Sequence, residues 1–262
     1  MLVTIITIVY NGEKYIEDTI RSVGAQTYPN IEYIIVDGGS TDSTPDIIGK
    51  YRDTVTTLIM EKDEGISDAF NKGLRLAKGE IIGIINADDW YEPDTVEKVV
   101  AAMPDHDIVY GRLRLWKDDR PDFVCEGDHN YLVSEMTINH PTVFARKEVY
   151  DRWGGFDKKY KCAMDYDLVL RFWINGCRFR YIPAILANMR WGGLSDNRWM
   201  LGCRETLSIK NKYLPHRRWR NRLYFYKHIL AISAPRILQQ FGLHFVTRFY
   251  RTNFSRVKKV YQ

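Results

Sequence analysis

No stretch of this chain approaches the ~18 consecutive apolar residues that a membrane-spanning helix needs. The longest charge-free run near the C-terminus, 237–247, is interrupted by Gln239, Gln240 and His244. The opening Met1-Leu2-Val3-Thr4-Ile5-Ile6 has neither a basic segment nor a small-residue cleavage site, so it reads as a first strand and not as a signal peptide. Four cysteines, Cys125, Cys162, Cys177 and Cys203, show no paired spacing. Free, half-buried thiols in a reducing cytosol account for them. Repeats and low-complexity tracts are missing as well, and 262 residues suit one medium domain, alone or with an appendage. The scarcest thing of all is acid in the last quarter. From Arg198 to Gln262 stand 15 Lys and Arg against one carboxylate, Glu205, a net +14. Residues 1–197 keep the other 23 basic and 32 acidic side chains, a net −9. Such polarity predicts an acidic body over 1–197 and a basic tail over 198–262 that meets an anionic partner.

What is present is an alternation of strand and helix patterns. Apolar, β-branched runs predict strands at 3–9, 32–36, 55–60 and 80–85. Helices are predicted at 13–25, 43–52, 66–77 and 93–103, the last opened by Pro93 in its first turn. This alternation argues for an α/β fold, a Rossmann-like and mainly parallel sheet flanked by helices. From Asp107 the pattern turns irregular, with short strands near 107–110, 112–116 and 142–145. A helix at 166–175 is predicted to be capped by Asp165 and ended by Gly176, and a strand pair follows around 179–189. The body therefore divides into halves at about 1–103 and 104–197.

Four segments concentrate chemistry at strand or helix ends. The run Glu80-Ile81-Ile82-Gly83-Ile84-Ile85-Asn86-Ala87-Asp88-Asp89 reads as a buried strand that stops at two adjacent carboxylates. In open α/β sheets, ligands bind outside the carboxyl ends of the strands. Two acids there repel each other, and hard divalent cations take such oxygens together with substrate phosphates. A solvated turn is the plain alternative. The second strand ends in Val36-Asp37-Gly38-Gly39-Ser40-Thr41-Asp42, an acid followed by glycines that let the backbone approach a ligand. Asp37 there can accept from ribose hydroxyls or a base N–H, or can simply form an Asx turn. Tyr10-Asn11-Gly12 lies beside it. The third segment, Asp63-Glu64-Gly65-Ile66-Ser67-Asp68-Ala69-Phe70-Asn71-Lys72-Gly73, enters a helix whose polar face carries Asp68 and Lys72, and Lys72 suits a phosphate or a solvated face equally. The fourth, Met164-Asp165-Tyr166-Asp167-Leu168, sets Asp165 at a helix start, which an N-cap would also explain.

Together these motifs resemble glycosyltransferase family 2, enzymes of the GT-A fold. The matching residues are Ile5-Ile6-Thr7-Ile8-Val9-Tyr10-Asn11-Gly12, Val36 to Asp42, Asn86-Ala87-Asp88-Asp89, and Met164 to Arg171, in that order over roughly 2–195. The form of 63–73 is similar to the branch of bacterial O-antigen and exopolysaccharide glucosyl- and galactosyltransferases. The resemblance implies inverting transfer of a hexose from a nucleotide diphosphate sugar, UDP-glucose or UDP-galactose, to a hydroxyl of a lipid-linked saccharide. It implies that Asp37 and Gly38 hold the nucleoside, lined by Thr7, Val9, Tyr10 and Asn11, with Asp68, Lys72 and Asp88 also on the nucleotide side. Asp88 and Asp89 would bridge Mn²⁺ or Mg²⁺ to the diphosphate, and Asp165 would be the general base. His140 and Trp153 are expected to border sugar and acceptor. Arg190-Trp191, also set on the acceptor side, is similar to the Arg-Trp pair of processive synthases. Ala187 stands where those enzymes carry glutamine, so processivity is not expected. Two other departures are Asn86, where the family often has an acid, and Met164, where many members have Glu.

The tail mixes arginine with aromatics: Arg217-Arg218-Trp219-Arg220-Asn221-Arg222-Leu223-Tyr224-Phe225-Tyr226-Lys227-His228, then Phe241, Phe245 and Phe249 with Arg248 and Arg251. That composition suits helices lying in a membrane interface. Taken with the resemblance, it implies a cytoplasmic enzyme, peripheral on the anionic inner face of the plasma membrane, where a polyprenyl-diphosphate-linked saccharide is presented. Packing against the body is the alternative. RNA is a weaker partner because no RNA module accompanies the tail, so no nucleic acid is expected. Two other functions compete: a two-carboxylate glycoside hydrolase, which needs neither metal nor nucleotide, and a non-catalytic sugar-nucleotide-binding protein.

Overall fold

The computed structural model describes residues 1–191, 198–240 and 258–260. Four β-branched runs form a parallel half-sheet: β1 (Val3–Val9), β2 (Ile31–Asp37), β3 (Thr57–Met60) and β4 (Ile81–Asn86). β1 sits between β2 and β4, and β3 pairs outside β2. Helices α1 (Ile16–Gly24), α2 (Thr44–Gly49) and α3 (Ile66–Leu76) make the crossovers. Alternation along each strand splits the core into two. Ile6, Ile34, Val36 and Ile84 face α3, whereas Ile5, Tyr33, Ile35 and Ile85 face α1 and α2, whose Ile16, Ile20, Val23 and Ile48 close that side.

The second half extends the same sheet with antiparallel pairs. β5 (Trp90–Tyr91) and α4 (Thr95–Ala102) lead to β6 (Ile108–Lys117) and β7 (Arg120–Cys125). β8 (Phe144–Arg146) inserts between β4 and β6, antiparallel to both. After α5 (Lys147–Trp153) and α6 (Met164–Ile174), β9 (Phe179–Arg190) runs parallel to β6 and pairs with β5. Where two short strands were expected at 107–116, β6 is continuous. Gly111, which reads as a break, is where β9 presses closest, and a Cβ there would lie 2.6 Å from Leu186 Cγ. The expected strand pair at 179–189 is likewise the single strand β9.

Beyond the body, α7 (Trp199–Tyr213) packs on α6 with Cys203, Glu205, Ile209 and Lys210 buried, and α8 (Arg218–Gln240) follows. A short strand β10 (Lys258–Val260) pairs with β7. Phe241, Phe245, Arg248, Phe249 and Arg251 lie outside the described residues. No described helix is long and apolar enough to cross a membrane. All four cysteines are free thiols.

Candidate active site

Parallel register aligns the exits of the first four strands. Asp37 stands opposite Val9 on one side and Met60 on the other, and Asn86 stands opposite Ile8. Every motif that follows these strands therefore opens on one rim. The loop after β1 zips onto the loop after β2. Asn11 N donates to Ser40 Oγ at 2.8 Å, Thr41 N donates to Asn11 Oδ1 at 2.8 Å, and Gly12 N donates to Thr44 Oγ1 at 2.8 Å. Asn11 adopts φ 51°, a left-handed turn that Asn tolerates. Tyr10 is 64% exposed beside it. Thr7 and Val9 are buried within β1. Tyr33 donates its hydroxyl proton to Thr7 Oγ1 at 3.1 Å, and the Val9 carbonyl accepts from Gly38 N at 2.9 Å.

Asp37 is fully buried. Its Oδ1 accepts from Gly39 N at 3.0 Å and Ser40 N at 2.7 Å, the Asx turn that the sequence allowed. Its Oδ2 is buried with no hydrogen-bond partner. An acceptor left in that state is costly unless a ligand donor completes it.

Asp88 and Asp89 part company at the end of β4. Asp89 is 1% exposed, its Oδ2 accepts from Asn86 Nδ2 at 3.1 Å, and its carbonyl accepts from Thr19 Oγ1 at 2.6 Å. Burial, and then the charge of Asp88, push its carboxyl well above the usual range. Asp88 is only partly buried, and burial raises its carboxyl as well. Arg190, at the end of β9, binds the Asp88 carbonyl at 2.8 Å and the Asp18 carboxylate at 2.7 Å. Its guanidinium lies 4.2 Å from the ring centroid of Tyr15 and 4.5 Å from that of Trp90. Arg190, expected on the acceptor side, thus stands beside the acid pair. Trp191 turns away, donating Nε1–H to Asp122 at 3.0 Å.

Asp165 lies in the first turn of α6, one residue inside the helix, and does not cap it. The N-cap position is Ala163. Asp165 Oδ1 accepts from the N–H of its neighbour Tyr166 at 2.8 Å. The N–H groups of Lys161, Cys162 and Ala163 all go to Glu205 of α7. This corrects the expected Asp165 cap: Ala163 stands at the N-cap with no side-chain cap bond, and Glu205 of the distant α7 holds the turn before it. Burial pushes the Asp165 carboxyl up to about 6, and the charge of Glu205 adds to the rise.

A chain of contacts joins the loop before Asp165 to the nucleotide-side rim. Asp63 packs against Gly38 and accepts from Gly65 N at 2.8 Å. Lys161 donates to the Glu64 carbonyl at 3.4 Å, Ser67 donates to the Tyr160 carbonyl at 3.3 Å, and Lys158 bridges Glu64 and Asp68. Lys72 is 8% exposed, and its ammonium is held by the Lys62 carbonyl at 2.9 Å, by Glu61 at 2.9 Å and by Asp68 at 3.8 Å. Its charge is thereby matched within the protein. His140 packs between Phe70 and Phe156, and burial lowers it to about 4, so the ring is neutral at pH 7. Trp153 is not brought to the rim. It lies against Cys177, just beyond the C-terminal end of α6, whose first turn bears Asp165. Sequence reading overlooked Glu205 and the Tyr15–Arg190–Trp90 sandwich, because each joins residues far apart in the chain.

The residues suit a divalent cation held partly by a ligand. Among the described residues no group of three or more His, Cys, Asp or Glu stands close enough to hold a metal alone. Asp88 offers a carboxylate at the rim, while the guanidinium of Arg190 goes to its carbonyl and not to its side chain. One or two carboxylates completed by phosphates is the ordinary Mg²⁺ arrangement. Asp89 gives Oδ2 to Asn86, while its Oδ1, like Asp37 Oδ2, is buried with no hydrogen-bond partner.

Known proteins agree with the fold and fix the family. The model of glycosyl transferase family 2 matches residues 4–153. A PGL/p-HBAD biosynthesis glycosyltransferase of Mycobacterium bovis is 30% identical over 184 residues, which cover 67% of this chain and 72% of that protein. The structure of S. aureus TarS 1-349 in complex with UDP-GlcNAc aligns with a TM-score of 0.67 at 20% identity, covering 80% of this chain and 65% of that one. The mannosyltransferase PcManGT from Pyrobaculum calidifontis, in complex with GDP-Man and Mn2+, aligns with a TM-score of 0.64 at 21% identity, covering 97% and 75%. These two likenesses carry the GT-A architecture that the motifs implied. The family match spans more than half of the sequence and takes in the rim motifs of β1, β2 and β4, so the chain belongs to glycosyl transferase family 2 and is a glycosyltransferase.

Proposed function

We propose that this enzyme transfers a hexose from a nucleotide diphosphate sugar, with inversion, to a hydroxyl of a lipid-linked saccharide in the synthesis of a cell-surface polysaccharide. The observation that carries the reading is the unpartnered, buried Oδ2 of Asp37 on the same rim as Asp88. A base N–H or ribose hydroxyl satisfies that oxygen, with exposed Tyr10 and Asn11 alongside. Asp88 would hold Mn²⁺ or Mg²⁺ beside the diphosphate, and Asp89 orders the turn through Asn86. A bound divalent ion supplies Lewis-acid stabilisation of the charge that develops on the leaving diphosphate. Arg190, fixed between Tyr15 and Trp90, holds the Asp88 backbone so that the carboxylate meets the donor in one orientation.

Asp165 receives the proton of the acceptor hydroxyl as oxygen attacks the anomeric carbon. A carboxylate raised to about 6 remains ionised at pH 7 yet is a stronger base than an ordinary aspartate. Such a base contributes ~10²–10⁴-fold to rate. UDP is the nucleotide we favour. The fold neighbours were solved with both UDP-GlcNAc and GDP-Man, so the base must be measured.

The acceptor lipid would be met at an anionic membrane surface through α8. Trp219, Leu223, Tyr226 and Leu230, exposed by 64%, 48%, 63% and 66%, recur at helical spacing, and Arg218, Arg220, Arg222 and Lys227 are exposed around them. The deciding experiment is a thermal-shift screen of UDP, GDP, CDP and dTDP, each with and without Mn²⁺. Ligand at 100 times its dissociation constant stabilises the fold by about 2.7 kcal/mol. A Mn²⁺-dependent shift with one nucleotide is the expected result. Silence with all four, in a protein that melts cooperatively, would remove the nucleotide-sugar reading.

A further inference from the structure

The lone acid of the basic segment is the most thoroughly bonded carboxylate near the candidate base. Glu205 Oε1 accepts from Lys161 N at 2.8 Å, and Oε2 accepts from Cys162 N at 2.8 Å and Ala163 N at 2.9 Å. Glu205 is 8% exposed. Ala163 is the N-cap of α6 and Lys161 and Cys162 precede it, so Glu205 holds the turn that leads into the helix, where the helix dipole favours a negative charge. Glu205 cannot drift from this seat, because α7 is pinned to α6 at a second point. Lys212 pairs with buried Asp167 at 3.3 Å and with Asp157 at 3.6 Å.

Asp165 follows two residues after the last of those N–H groups. Two carboxylates at one helix start oppose each other's ionisation, and the one with fewer bonds to N–H retains its proton more readily. Glu205 has three such bonds, leaving Asp165 with that of Tyr166. Burial pushes Asp165 up to about 6, and Glu205 is the charged residue that adds to the rise. The other groups facing this turn are the Cys162 thiol, raised by burial and by both acids, and Arg198 at the entry to α7, which opposes that rise. The ammonium of Lys161 is directed to the Glu64 carbonyl.

We propose that Glu205 is a positioning residue for Asp165: seated on the N–H groups of Lys161, Cys162 and Ala163, it fixes the turn that bears Asp165 and sets a negative charge against that carboxylate. The basic segment beyond residue 197 thereby supplies part of the machinery of the body. The inference rests on Asp165 being the base, and its test is independent of that role. The full-length protein is labelled with ¹³C at aspartate carboxyls, and the resonance missing from Asp165→Asn is followed through a pH titration. The expected midpoint is about 6 in the unsubstituted protein. Glu205→Gln keeps the shape without the charge and should lower the midpoint by roughly half a pH unit or more, the size of a screened interaction between close charges. Glu205→Asp keeps the charge and should retain the midpoint while melting at a lower temperature. An unmoved midpoint in Glu205→Gln would overturn the proposal. So would an equal fall in Glu205→Asp, or titration of the unsubstituted protein in the ordinary carboxylate range. Turnover of Asp165→Asn separately decides the base role, so the two ideas fail by different measurements.

Discussion

Gly38 and Asp63 touch so closely that a Cβ on Gly38 would fall 2.3 Å from Asp63 Oδ2. The contact ties the exit of β2 to the exit of β3 just below the unpartnered oxygen of Asp37. Gly38→Ala must therefore push Asp63 aside, and Asp63 also accepts from Gly65 N. The expected cost is about 1–3 kcal/mol, as for overpacking elsewhere. Nucleotide affinity should fall with it. Adding Asp63→Ser removes the obstructing oxygen, so chemical denaturation of the double variant should recover part of the loss. Strict additivity of the two substitutions would show that the contact is not what makes glycine necessary.

Asp165→Asn should separate stability from turnover. A carboxyl raised from 3.8 to about 6 by the fold favours its protonated form there. The unfolded chain gives up that proton at lower pH, so the ionised group weakens the fold as pH rises between those values. The substituted amide would be neutral throughout and can still accept from Tyr166 N. The variant should thus be more stable by about 1–3 kcal/mol at pH 7.5, with the advantage fading near pH 4. Transfer activity should drop ~100-fold or more. Melting curves at both pH values check the first statement: equal stability at pH 7.5 would contradict the burial of a charge.

Much of the rim could be read from sequence because β1, β2 and β4 are short, buried on both faces and rich in isoleucine. Val3–Val9 was legible residue for residue, and the acids at the ends of β2 and β4 stood out as polar stops after apolar runs. What stayed hidden was tertiary. Asp165 looks like a helix cap in any window of ten residues, and nothing local says that Glu205, 40 positions later, holds the turn before that helix. Charge counting made Glu205 an exception in a basic tail, whereas its three bonds make it the anchor of the turn entering α6. Trp153 was expected to border the sugar and acceptor, but it packs against Cys177 beyond the C-terminal end of α6, while Asp165 lies in the first turn of that helix. Two-residue β5 had no periodicity to detect, yet its Trp90 forms one wall of the Arg190 sandwich.

Adjacent aspartates should give opposite phenotypes. Asp88→Ala removes a partly exposed carboxylate whose side chain orders no neighbouring element, so the melting temperature without ligand should change little. The Mn²⁺-dependent part of nucleotide binding should be lost. Asp89→Ala strips a buried acceptor from Asn86 Nδ2, and leaving such a donor unpaired costs about 1–3 kcal/mol. That variant should melt earlier yet retain metal dependence in whatever folds. Calorimetric titration with UDP, with and without Mn²⁺, distinguishes them. Loss of metal dependence in the Asp89 variant alone would move the cation from one aspartate to the other.

Membrane contact, if made by α8, should need both its charge and its apolar stripe. Each Lys or Arg near an anionic surface adds about 1 kcal/mol, and that part is screened by salt. Burial of the four exposed apolar side chains into the headgroup boundary is insensitive to salt. Full-length protein should therefore float with vesicles of mixed phosphatidylglycerol and phosphatidylcholine, bind less with phosphatidylcholine alone, and release partly at high salt. Replacing Trp219, Leu223, Tyr226 and Leu230 by serine should abolish flotation. These residues are exposed, so the fold should survive and nucleotide binding should be unchanged. Undiminished flotation of the serine variant would exclude this face as the contact, and failure of the parent protein to bind anionic vesicles would remove the membrane from the proposed reaction.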